Sequence, residues 1–196
     1  MNNTREIAQW IVDNCICIDT ETTGLGENDV VVEIAAIRIK TGEVLVDTVV
    51  KPNWITNRFA EATHGITWEE QMRGDDFGVV LENLHLKNHG DEFYTAFNLV
   101  FDERLIRQTG FRYLAEPDIC APFPKPDGII CIMELANRHF AKDHAEWDNE
   151  NSRFRRLSLA KCCEIAGIEF TGTAHRALAD ARAAADLVIA IAEGSC

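Results

Sequence analysis

The chain has 196 residues, 46% hydrophobic and 26% charged, which supplies apolar side chains for one sizeable core and excludes a globally disordered polymer. Its formal charge of -13 excludes a protein that holds duplex nucleic acid through a basic patch alone, because such binding draws on Lys and Arg. The start, Met-Asn-Asn-Thr-Arg-Glu, has no apolar signal core, and charges interrupt every apolar run before it could span a bilayer, so a cytoplasmic chain of one domain, residues 1–196, is expected.

Cys-Ile-Cys-Ile-Asp at 15–19 predicts a short buried strand, and Val-Val-Val-Glu-Ile-Ala-Ala-Ile-Arg-Ile at 30–39 a longer one. A Gly-containing turn at 40–43 and a third strand over 44–50 complete an antiparallel meander that stops at Pro52. Thr63-His64-Gly65-Ile66 is expected to be a loop, and Thr67-Trp68-Glu69-Glu70 has the spacing of a capping box that opens a helical region. Residues 93–97 predict a strand, 98–108 a helix, and 129–132 another strand before a helix through about Phe140.

The stretch 113–128 holds four prolines and predicts an irregular connection, and the acidic, polar residues 143–151 predict a mobile insertion. Arg153, Arg155 and Arg156 follow it, placed either to pair with those acids or to guide a strand by its phosphates. Leu157 to Ala166 keeps helical spacing before Gly167, and an alanine-rich helix is expected from Ala174 to Ala192. Strands first, then alternating strands and helices, imply an α/β fold with one mixed sheet and helices on its faces.

The seven cysteines are expected to be reduced, with Cys15, Cys17 and Cys131 packing as small hydrophobes. Adjacent Cys162 and Cys163, and His139 with His144 five residues on, lack the spacing of a structural zinc site.

Three acidic segments carry the chemistry. Asp19-Thr20-Glu21 ends a strand, where two-residue spacing sends both carboxylates to one face. Asp102 follows Asn98 by four residues on one helical face. His175 and Asp180 are five residues apart, so helical rotation of about 100° per residue would point them about 140° apart. They converge only if His175 belongs to the segment leading into the helix, with Gly172 leaving that segment free to bend.

In this order the segments resemble the DnaQ-like exonucleases of the DEDDh type, and the likeness covers most of the chain. Asp19 and Glu21, continued by Thr22-Thr23-Gly24-Leu25, match the first motif, Asp102 the second, and His175 with Asp180 the third. The Thr63-His64-Gly65-Ile66 stretch and Leu157-Ser158-Leu159 also look like this family, whereas Phe97 stands where members often carry a polar residue or histidine.

The resemblance implies a ribonuclease H-like sheet of three antiparallel strands followed by parallel ones, and stepwise release of nucleoside monophosphates from a 3′ end. It implies two Mg²⁺ or Mn²⁺ ions about 4 Å apart. Asp19 would bridge them, Glu21 and Asp180 would bind the ion that holds the attacking water, and Asp102 would act partly through water. His175 would be the general base. Thr22, Thr23, Gly24, Leu25, His64, Asn98 and Phe101 would contact the terminal nucleotide.

The partner implied is a single-stranded 3′ end, with a polymerase or another nucleic-acid-processing protein beside it. Likeness to proofreading members favours DNA, the alternative being RNA 3′-end trimming or an oligoribonuclease. A fold kept only for binding, or a phosphoesterase for small molecules, would be the competing class.

Overall fold

Side-chain alternation along three successive apolar strands sets up the sheet. The computed structural model describes residues 3–52, 56–88, 92–113 and 131–196. Strands β1 (Cys15–Thr22), β2 (Val31–Arg38) and β3 (Glu43–Val49) form the antiparallel meander, and β4 (Phe93–Thr95) adds parallel to β1. The order is β3-β2-β1-β4, which puts β1 in the middle. The turn from β2 to β3 uses Gly42 at φ 71, a left-handed conformation that glycine takes without a Cβ penalty.

Both faces of the sheet are covered. Ile16 and Ile18 pack towards α4 (Phe77–Asn88) and α5 (Leu99–Tyr113). Cys15 and Cys17 pack towards α1 (Thr4–Asn14), α6 (Ile132–His144) and α8 (Ala177–Glu193). Small residues let α8 lie close to the sheet, with Ala177 and Ala181 against Ala35 and Ile37 of β2. Leu187 and Ile191 of the same helix are fully buried, and each such side chain contributes about 1.5–3 kcal/mol.

Several boundaries differ from the sequence expectation. The first helix, α1, was not expected, although Asn3 and Glu6 form a capping box and Ala8 and Ile11 share its buried face. His64 ends a helix, α2 (Arg58–His64), instead of lying in a loop; Asn57 caps its start and Gly65 at φ 71 stops it. The capping box at Thr67 is present but opens only the four-residue α3 (Trp68–Gln71) before α4 begins.

Residues 129–130 of the strand expected over 129–132, and 114–128 of the proline-rich connection, lie outside the described residues. Ile132 itself begins α6, its N–H donating to Ala96 O. Within the acidic stretch α6 runs on to His144, and β5 (Trp147–Asp148) pairs with β6 (Arg153–Phe154) as Trp147 packs on Phe154. Arg155 pairs with Glu146 at 3.6 Å, both exposed, which matches the first of the two roles offered for the arginines. Helix α7 (Leu159–Ala166) is capped by Ser158 and ended by Gly167.

Every described cysteine is free. No helix among the described residues is long and apolar enough to cross a membrane.

Candidate active site

Continuing the alternation of β1 past Ile18 puts Asp19 and Glu21 on the α8 side and Thr20 on the α5 side. Both consequences are seen. One ligand atom each from Glu21, His175 and Asp180 lies within 4.8 Å of the other two. From the opposite side, Thr20 Oγ1 donates to Asp102 Oδ1 at 2.8 Å.

The last helix starts at Ala177 and not at Ala174, because His175 has φ 62 and a helix cannot continue through the left-handed region. Gly172, at φ 105, turns the chain just before it. This bent lead-in is what allows His175 and Asp180 to meet, as their five-residue spacing required.

Crowded acids resist ionisation. Burial, followed by Asp102, Asp180, Glu21 and Glu33, holds the Asp19 carboxyl well above the usual carboxylate range. Glu21 is pushed up to about 8, by burial first and then by Asp180, Glu33 and Asp102, with Arg176 opposing. Asp102 is raised because burial outweighs the Thr20 hydroxyl and the backbone donors around it. Burial raises Asp180 too, against the pull of His175. The four carboxylates make an oxygen donor set for hard divalent cations, which would relieve this repulsion, and the His175 imidazole stands beside them.

Residues 16–188 match the family described as RNase_T, exonuclease. An uncharacterized exonuclease of Escherichia phage 186, CP81, is 34% identical over 192 residues, which is 95% of this chain and 92% of that protein. The chain belongs to the RNase_T exonuclease family. Solved exonucleases share its ribonuclease H-like α/β fold. The nuclease domain of 3′hExo, a DEDDh family member bound to rAMP, superposes with a TM-score of 0.69 at 19% identity, covering 94% of each chain. Exonuclease X in complex with 5′ overhanging duplex DNA gives 0.63 at 24% identity over 92% of each.

Beside the acids of this exonuclease lies a cavity of about 550 Å³, lined by Thr20 to Thr22, Gly24, Leu25 and Phe101, and by Asn57, Phe59, Ala60, Thr63 and His64 of α2 and its cap. Leu25 and Phe59 stand at its rim, 76% and 71% exposed. Gly24 is needed there: a Cβ would collide with the Asn57 side chain and lie 2.7 Å from Asp29 Oδ2. Thr22 Oγ1 donates to Gly24 O at 2.7 Å, bending the loop.

His64 is buried, and its Nδ1 accepts from Ile66 N–H at 3.0 Å, so the proton sits on Nε2. That Nε2 is buried with no partner in hydrogen-bonding geometry. Burial lowers the His64 pKa, outweighing Glu33 and the Thr22 backbone. A larger groove, about 590 Å³, lies on the outer side of α5 and is lined by none of the motif residues.

Two residues expected at the nucleotide, Thr23 and Asn98, do not line the cavity beside the acids. Thr23 is fully buried, its hydroxyl donating to Asp29 and accepting from Val30 N–H, and its carbonyl accepting from Asn57 N–H. Asn98 is exposed at the start of α5 and does not line the cavity.

Sequence reasoning missed Thr20, Asn57, Phe59, Glu33 and Arg176. Glu33 had a usable signal: it is the single charge inside Val-Val-Val-Glu-Ile-Ala-Ala-Ile, where a buried strand does not tolerate an unpaired carboxylate. The α2 residues had none, because their proximity to β1 is a product of tertiary folding.

Proposed function

We propose that the chain is a single domain, residues 1–196, that removes nucleoside monophosphates stepwise from the 3′ end of DNA, preferring single strands. The observation that carries this reading is the meeting of Glu21, His175 and Asp180 within 4.8 Å, beside Asp19 and with Asp102 tied in through Thr20. Asp19, Glu21, Asp102 and Asp180 would hold two divalent ions, Mg²⁺ or Mn²⁺, which when bound stabilise the attacking and leaving oxygens of an in-line displacement.

His175 accepts the proton of the attacking water on a ring nitrogen; an imidazole does this near neutral pH, where arginine and lysine stay charged. The exposed position of His175 gives that proton a way out to solvent. In the neighbouring cavity Leu25, Phe59 and Phe101 give a base apolar surface, and His64 backs the wall beside the Thr22 backbone. The loop at Thr22, Thr23 and Gly24 shapes the wall against which the sugar and phosphate rest.

Exonuclease X carries duplex DNA and the 3′hExo domain carries rAMP, so a DNA duplex and a ribonucleotide each occur on this fold. The DNA reading brings a polymerase or another nucleic-acid-processing protein as partner, and a cytoplasmic setting. The test is digestion of matched DNA and RNA oligonucleotides labelled at the 5′ or the 3′ end. The expected result is a ladder shortening from the 3′ end of 5′-labelled DNA, with mononucleotide released at once from 3′-labelled DNA. Preferential digestion of RNA would replace DNA by an exoribonuclease role, and release of a 5′ label as mononucleotide would overturn the polarity.

A further inference from the structure

Helix α8 begins without a cap of its own. Arg176 occupies the N-cap position, and no side chain there accepts from the first-turn N–H groups. The acceptor comes from β2: Glu33 Oε2 receives Ala177 N–H at 2.8 Å. The same carboxylate receives Arg176 Nε, at 2.9 Å to Oε1 and 3.2 Å to Oε2, and Arg176 Nη2 on Oε1. The Glu33 side chain is 3% exposed, so its oxygens depend on protein donors, and the Arg176 guanidinium and the α8 N-terminus supply them.

This clamp grips the two residues that follow His175. His175 is exposed and sits at φ 62, a conformation that a residue with a Cβ holds only when its surroundings enforce it. Its backbone N–H faces the Asp180 carboxylate, and on the other side the chain turns at Gly172, φ 105, so the clamp at Arg176 and Ala177 is the anchor nearest the ring from outside the α8 segment. Glu33 also lies directly opposite Glu21 in the β1–β2 register. One carboxylate therefore fixes the residue after His175 and stands next to the strand position that carries Glu21.

We propose that Glu33 is a positioning residue: by clamping Arg176 and Ala177 it sets where the His175 ring stands relative to Glu21 and Asp180. The inference rests on the general-base role given to His175 above. Glu33 acts through His175 and makes no contact with the substrate.

A double-mutant cycle on kcat tests it. Glu33→Gln keeps the size and one acceptor but loses the ion pair, and Arg176→Lys keeps the charge but loses the two-pronged fork. Each is expected to lower kcat between about tenfold and a hundredfold, the scale of a misplacement near 1 Å, with KM unchanged within about twofold. In a His175→Ala background the same substitutions are expected to change kcat by less than about twofold, because the ring they position is gone.

Circular dichroism and melting establish that each variant is folded at the assay temperature. A variant that melts lower yet keeps full kcat would reduce Glu33 to a helix cap. An equal loss of kcat with and without His175 would mean that Glu33 acts on the ions or on the whole site, and either result overturns the proposal. Absence of hydrolysis by the wild-type protein would instead contradict the exonuclease reading itself.

Discussion

Helices α5 and α8 bring one acid each to the same edge of the sheet, and they are held there differently. α5 follows β4 almost at once, with Asn98 O accepting from Phe101 N–H and Asp102 N–H, so local chain geometry delivers Asp102. Asp102 is 3% exposed and steadied by Thr20 of the neighbouring strand. α8 instead arrives through a loop with two left-handed residues, Gly172 and His175, and takes its cap from Glu33 on another strand. Asp180 is only half-buried and His175 is exposed. One half of the site is packed in place. The other is clamped from a distance, which leaves its histidine open to water.

Substitutions on the two sides should therefore fail in different ways. The largest effect is expected from removing a carboxylate: Asp19→Ala or Asp180→Asn reduces hydrolysis of a labelled oligonucleotide to background. The fold is retained, since the change relieves acid crowding. Unfolding of these variants, seen by circular dichroism, would mean that the acids serve the core and not the chemistry.

Next comes His175→Ala, which is expected to lower kcat by about a hundredfold to ten-thousandfold, as for other positioned bases. Mn²⁺ binding followed by calorimetry should change little. Near wild-type turnover under single-turnover conditions would assign water activation to another group.

Thr20→Val tests the packed half alone. It deletes the donor to Asp102, so Asp102 rises further and the ion concentration for half-maximal activity should increase about tenfold, within the range for a lost supporting hydrogen bond. An unchanged metal requirement would show that packing alone orients Asp102.

The contrast between the helices also explains what was legible in the sequence. The first and second motifs are local: strand alternation gives Asp19 and Glu21 one face, and the first turn of a helix gives Asp102 its direction. Angular spacing requires His175 to precede the last helix, yet the alanine-rich pattern starts that helix at Ala174, three residues early, because Ala174 favours helix and Gly172 marks a bend without fixing where the helix begins. Glu33 is legible as a lone charge in an apolar strand but its partner is not, and Asn57 and Phe59 join the site only through the approach of α2, which short-range patterns do not encode. The α1 helix was missed although its capping box and the Ile7/Ile11 spacing were present, because attention to apolar runs passes over a polar amphipathic segment.

Acids crowded together against their own repulsion call for divalent ions to neutralise them, and thermal melting across pH in EDTA and in Mn²⁺ tests that most directly. Asp19, Glu21, Asp102 and Asp180 all have folded pKa values raised above those of an unfolded chain, Glu21 to about 8. Their contribution to stability is thus fully present below about pH 4 and is lost as pH rises through the folded values. In EDTA the melting temperature is expected to fall from pH 5 to pH 8, to fall less in Asp19→Asn, and to recover on adding Mn²⁺ because ions bind only the folded site. A melting temperature that stays level or rises over that window, and that Mn²⁺ leaves unchanged, would contradict it.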